Sequence, residues 1–108
     1  MRFFNDFDMS EVLRFYEIAP VDISTIRAWQ GHQYEKKWFH CLAGAFIINL
    51  IALDAFDSPS NQLVPKKFIL SFEENQVLTI PEGFATGIKA AERDSRLMVF
   101  SNFGLEAS

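Results

Sequence analysis

The chain contains one cysteine, Cys41, so it cannot close an internal disulfide, and a reducing, cytoplasmic setting fits. Cys41 lies within the apolar run Trp38 to Leu42, where a buried, inert thiol is expected. Basic clusters are nearly absent. Lys36-Lys37 and Lys66-Lys67 stand alone in a chain of net charge −4, which argues against nucleic acid as a partner. Long hydrophobic runs are missing too. Ala43 to Ala52 is the longest, contains Asn49, and is too short to span a bilayer, so no membrane association is expected. The first residues, Met1 to Asp8, carry Asp6 and Asp8 and lack the apolar core of a signal peptide. There is no tandem repeat and no low-complexity linker. Tyrosine and tryptophan are scarce, at 2 each, whereas phenylalanine reaches 12. Bulky apolar rings suit a packed interior or a subunit interface.

What is present reads as a globular domain. Hydrophobic residues make up 49% of 108 residues, enough for one core and too few for two, so residues 1–108 are expected to form a single domain. Ile26, Ala28, Gln30 and His32 alternate with Arg27, Trp29 and Gly31, a period of two. Trp38 to Leu42 is a second strand, broken at Gly44, and Ala45 to Leu53 a third. Asp54 to Asn61 reads as a loop. Lys67 to Phe72, Val77 to Ile80, Thr86 to Ala90 and Arg96 to Ser101 follow as short strands, with turns at Gly83 and at Glu92 to Ser95. Met9 to Ile18 fits either a short helix capped by Ser10 or an edge strand; the β character of the rest favours the strand. After Ser101 the chain leaves the last strand, and the Glu-, Ala- and Ser-containing tail is either a truncation or a solvated end. Short strands at regular spacing imply an all-β sandwich or barrel.

One spacing carries chemistry. Gln30 and His32 are two residues apart, Lys37 follows His32 after four intervening residues, and Gly44 follows Lys37 after six. Downstream, Pro81-Glu82-Gly83 is followed by Thr86. This pattern resembles the two motifs of the cupin superfamily, in which two histidines, a glutamate and a third histidine hold a metal ion. The resemblance implies a single-domain cupin-type β-barrel, a jelly roll, with Gln30 and His32 at the paired histidine positions. Lys37 then stands in the glutamate slot and Thr86 in that of the third histidine. A lone imidazole beside an ammonium does not suit zinc or iron, so no metal and no other cofactor is expected.

Lysine in the glutamate slot resembles one branch, the dTDP-4-dehydrorhamnose 3,5-epimerases and the sugar 3,4-ketoisomerases. Ile26-Arg27-Ala28-Trp29-Gln30 resembles their Arg-Gly-Leu-His stretch, and Lys37 to Ala45 their Lys-Leu-Val-Arg segment with its glycine. Ser58-Pro59-Ser60 resembles Ser-Pro-Thr, and Ile80 to Gly87 resembles Ile-Pro-x-Gly-Phe-Ala-His-Gly. The likeness spans Ile26 to Asn102. It implies a nucleotide-sugar ligand, dTDP- or UDP-linked, proton transfer beside the keto group of a 4-keto-6-deoxy sugar, a role in polysaccharide synthesis, and a homodimer.

The epimerase base falls at Gln30, whose amide cannot accept a proton at useful pH. If the chain is catalytic, His32 takes that role. Lys37 would stabilise the enolate and help keep His32 neutral. The epimerases' acid tyrosine lacks a counterpart in Leu97-Met98-Val99-Phe100; Tyr34 and Tyr16 are the phenols left, neither is placed by the motif, and Tyr34 is named as the candidate acid. Arg27, Gln30 and Thr86 are candidate substrate-binding residues, with Arg27 reaching a phosphate if a bulge or a partner subunit turns it inward. Each has a plainer alternative. His32 is a hydrogen-bonded strand histidine, Lys37 a solvated edge charge, and Arg27 a surface partner of Glu35 or Asp22. A non-catalytic sugar-nucleotide-binding or interaction cupin is the rival to the enzyme.

Overall fold

The computed structural model describes residues 7–32, 34–52 and 65–104; the side chain of residue 32 and the loop expected at Asp54 to Asn61 lie outside the described residues. Among the described residues eight strands run in chain order: β1 Arg14–Ile18, β2 Ile26–His32, β3 Lys37–Ala43, β4 Ala45–Ala52, β5 Lys66–Ser71, β6 Val77–Ile80, β7 Phe84–Ala90 and β8 Arg96–Ser101. They form two four-stranded sheets, ordered β1-β8-β3-β6 and β2-β7-β4-β5. All the pairings are antiparallel. This is the all-β architecture expected from the spacing of the strands, and the jelly roll that the cupin resemblance implied. Val77 to Ile80 and Arg96 to Ser101 are strands over the residues expected. The ambiguous segment Met9 to Ile18 resolves into a turn, closed by the Val12 N–H donating to the Met9 carbonyl, followed by β1. Ser10 caps no helix; its own N–H donates to the Asp8 carboxylate.

The core lies between the sheets, where alternate residues of each strand meet. Phe39, Leu97 and Val99 of the first sheet and Phe46, Ile48 and Leu70 of the second are buried there. Cys41 is buried among them, its thiol within hydrogen-bonding distance of the Ala43 and Gly44 carbonyls. The surplus of phenylalanine divides between the two faces. Phe39 and Phe46 fill the core, whereas Phe15 and Phe100 sit opposite each other on the outer face of the first sheet. Phe7 lies against both Trp38 and Phe100, with ring centroids 6.0 and 5.2 Å apart, and Trp38 is buried even though it belongs to the outer row.

Gly44 is the single residue between β3 in one sheet and β4 in the other. It takes φ +70°, and an added Cβ would lie 3.1 Å from the Ser95 backbone. Both constraints favour glycine. Ser95, itself buried, fastens this corner: its hydroxyl accepts from the Ala45 N–H at 3.2 Å and donates to the Glu92 carbonyl at 2.7 Å. The turns expected at Gly83 and at Glu92 to Ser95 are present, with positive φ at Gly83 and Asp94.

Candidate active site

β3 alternates polar and apolar residues in a way that sends a charge inward. Phe39 and Cys41 point into the core, so Lys37, two residues before Phe39, shares their face. Lys37 pairs with Ser101 of β8 on one side and Ile80 of β6 on the other, and Ser101 pairs with Arg14 of β1. Arg14, Ser101 and Lys37 therefore form one inward row at the end of the first sheet. The next row is Tyr16, Val99 and Phe39. Glu35 sits just before β3 and is 5% exposed. It accepts a short hydrogen bond from the Ser101 hydroxyl and lies 3.6 Å from the Arg14 guanidinium. The turn that presents Glu35 is clamped by Asn102, whose side-chain oxygen accepts from the Lys36 N–H at 2.8 Å.

The charges of this row act on one another. Burial pushes the Lys37 ammonium below the ordinary lysine value; Glu35 opposes that shift, while Arg14 and Arg27 add to it. Tyr16 is pushed above the ordinary phenol value, first by burial and then by the negative field of Glu35, with Arg14 and Arg27 pulling the other way. The Arg14 guanidinium carbon lies 5.9 Å from the centre of the Tyr16 ring.

The second sheet faces this row with β2. Gln30 pairs with Thr86, and His32 with Phe84. Arg27 pairs with Ile88, two residues from Thr86, because the register shifts between Arg27 and Gln30. That bulge absorbs one extra residue, so Arg27 and Gln30, three apart in sequence, share the inward face. Regular alternation would place them on opposite faces. Arg27, Tyr16, Ile18, Pro20, Thr25 and Ile88 line a cavity of about 250 Å³ between the edges of the two sheets.

Of the residues singled out from sequence, Lys37 is buried on the inner face, Thr86 is 1% exposed, and Gln30 pairs with Thr86 at the exposed end of β2. Arg27 joins them through the bulge. His32 shares their strand, but its side chain is not among those described. Tyr34 is 64% exposed, in the turn between β2 and β3, and stands apart from the group around Lys37. The surface pairing of Arg27 with Glu35 or Asp22 does not occur. Glu35 is buried against Ser101 and Arg14, and Asp22 accepts hydrogen bonds from Ser24 and Thr25.

Three residues of the group were not singled out from sequence: Arg14, Tyr16 and Glu35. The alternation in β1 puts the first two on one face but does not say that this face points inward. Among the described residues no three His, Cys, Asp or Glu side chains converge on a point, and the donors at the paired-histidine, glutamate and third-histidine positions include an amide, an ammonium and a hydroxyl. That set does not fit a divalent metal.

The two four-stranded antiparallel sheets form a jelly roll of the cupin type. Solved structures with this fold include the 3,4-ketoisomerase QdtA from Thermoanaerobacterium thermosaccharolyticum in complex with TDP-4-keto-6-deoxyglucose. It is 21% identical, with a TM-score of 0.69 over 85% of this chain and 59% of that one. The RmlC epimerase of Mycobacterium tuberculosis is 15% identical, with a TM-score of 0.72 over 86% of this chain and 46% of that one. ChmJ, a 3'-monoepimerase from Streptomyces bikiniensis in complex with dTDP-quinovose, is 13% identical, with a TM-score of 0.74 over 86% and 47%. This chain thus spans about half to three-fifths of their lengths. No protein-family model and no curated protein sequence matches it.

Proposed function

We propose that this chain binds a nucleotide-linked 4-keto-6-deoxy sugar and moves a proton beside its keto group, as a metal-independent epimerase or isomerase. The observation that carries the reading is Lys37. Lys37 is 4% exposed on the inner face of a jelly roll, and a buried ammonium beside Glu35 sets a cation inside the barrel, where perturbed charges mark functional sites. An ammonium in that position is suited to an enolate oxygen, which bears its charge only while the reaction proceeds. Arg27, turned inward by the bulge, is suited to a phosphate of the nucleotide, with Gln30 and Thr86 offering hydrogen bonds to the sugar. His32 is the candidate base. The likeness of fold to proteins that bind TDP or dTDP-sugars supports the ligand class. Polysaccharide synthesis in a reducing, cytoplasmic compartment belongs to the same proposal.

The test is deuterium exchange. Incubated with a 4-keto nucleotide sugar in heavy water, the wild type is expected to lose a ring-proton NMR signal at C3 or C5, and His32→Ala to abolish that loss. Measurable binding with no exchange across a panel of such sugars would overturn catalysis and leave the rival, a binding or interaction cupin.

The same reading includes a homodimer. Leu13 just before β1, Phe15 on β1, Ile26 and Trp29 on β2, and Ile69 on β5 are half or more exposed, and a partner subunit would cover such side chains. Light scattering across a hundredfold concentration range is expected to report a dimer mass. A monomer that persists at the highest concentration would refute it.

A further inference from the structure

The outer face of the second sheet carries side chains that the barrel interior does not use. Ile48 and Leu50 of β4 and Ile88 of β7 belong to the core, and Thr86 of β7 is buried on the same side. Asn49 and Gly87, which lie between them in sequence, therefore stand on the outer face. Gly87 pairs with Asn49, and Asn49 with Lys67 of β5, so the three form one row across the sheet. The adjacent row holds Lys89 and Ile47.

Trp29 extends the first row. The register shift between Arg27 and Gln30 leaves Ala28 and Trp29 opposite Gly87. A Cβ added to Gly87 would lie 3.4 Å from the Trp29 ring, so the ring rests against the glycine. Gly87 is buried beneath it, while Trp29 itself stays 50% exposed. An aromatic surface open to water thus stands beside an amide and an ammonium. The charge of this face has one sign. The chain carries 14 Asp and Glu, yet β2, β4, β5 and β7 contain none. Glu74, in the turn after β5, accepts from the Ser71 hydroxyl at the opposite end of that strand from Lys67.

A cationic, apolar face calls for an anionic occupant. A second copy docked on it through the same face would set lysine against lysine with no strand carboxylate between them. The homodimer contact then falls on Leu13 and Phe15. A partner protein would have to bury lysines in the centre of its interface, where that residue is depleted. A sugar chain makes neither demand. A pyranose has an apolar C–H face that an aromatic ring receives and a rim of hydroxyls that stays hydrated.

We propose that this face binds a carboxylate-bearing oligosaccharide, with one pyranose on Trp29, hydroxyls at the Asn49 amide and carboxylates against Lys67 and Lys89. Gly87 and Lys67 are two strand spacings apart, about 10 Å, a span of the order of a disaccharide. The site lies on the opposite face of the sheet from Gln30 and Thr86 and stands independently of the proton transfer proposed above.

Tryptophan emission supplies the readout, because Trp38 is buried and Trp29 is half exposed. The protein is titrated with oligogalacturonate, with dextran oligomers as uncharged sugar rings and with polyglutamate as carboxylates without sugar. Saturable binding of oligogalacturonate with a shift in emission is expected, weakening as salt rises. Dextran and polyglutamate are each expected to bind at least tenfold more weakly. Trp29→Ala is expected to cost about tenfold in affinity, the scale of one lost aromatic contact. Lys67→Glu, at an exposed position, is expected to cost at least as much and keeps the test open should Trp29→Ala fail to fold. No saturable binding of oligogalacturonate would overturn the proposal, as would wild-type affinity in either folded variant. Polyglutamate bound as tightly as oligogalacturonate would overturn it in favour of an acidic protein partner.

Discussion

Glu35→Ala is expected to destabilise the fold by about 3 kcal/mol, the lower end of the range for breaking a buried ion pair. Glu35 is 5% exposed and receives both the Ser101 hydroxyl and the Arg14 guanidinium. Its charge also offsets Lys37 and lies in the field felt by Tyr16. Alanine would leave two cations at the end of the barrel without that counter-charge, and the Ser101 hydroxyl without its acceptor. The lower end of the range applies because Arg14 retains 23% of its side-chain exposure and can draw on water. Glu35→Gln keeps an acceptor for Ser101 and removes the charge, so an intermediate loss is expected. Urea denaturation of the three proteins measures it. A Glu35→Ala midpoint equivalent to less than about 1 kcal/mol of change would show that the carboxylate is not the anchor of this row.

The second large effect falls on Lys37. Lys37→Met preserves length and apolar volume and removes the ammonium, and the exchange rate with a 4-keto nucleotide sugar is expected to fall by about 10²–10³-fold, the scale of a lost oxyanion donor. Stability should respond in a different sense. Because burial lowers the native value of Lys37 beneath its ordinary 10.5, the unfolded chain binds more protons between those two values. Native stability therefore rises with pH across that window, and Lys37→Met removes the rise. Tyr16 contributes with the opposite sign, since a raised phenol value costs stability as pH climbs past about 10. The difference between wild type and Lys37→Met isolates the lysine. Equal slopes for the two proteins in alkaline urea titrations, or undiminished exchange in the variant, would count against a buried, charge-bearing role.

Much of this arrangement was legible in the residues, and the exceptions have physical causes. The spacing of Gln30, His32, Lys37 and Gly44 located β2, β3 and the corner between the sheets, because a period of two and a glycine at positive φ leave little freedom. β1 misleads a reading based on hydrophobicity. Leu13 and Phe15 lie outward and largely exposed, whereas Arg14 and Tyr16 face in, the reverse of the ordinary apolar-inside pattern. Only the register with β8 reveals this, and register is a long-range property. Glu35 looked like a surface partner because carboxylates are seldom buried; its burial depends on Arg14 and Ser101, which are distant in sequence. Arg27 depended on a bulge that spacing alone allows but does not require.

The order of the strands also bears on how the chain reaches this state. β8, the last strand among the described residues, lies in the middle of the first sheet, with β1 on one side and β3 on the other. Until it is available, Arg14, Glu35 and Lys37 have no common neighbour to bring them together, and β1 has no strand with which to pair. Assembly of this half of the sandwich must await synthesis through Ser101, and closing contacts so far apart in sequence slows the search further. During translation the apolar faces of β1 and β3 are therefore exposed together, a window in which premature association with a neighbouring chain competes with folding.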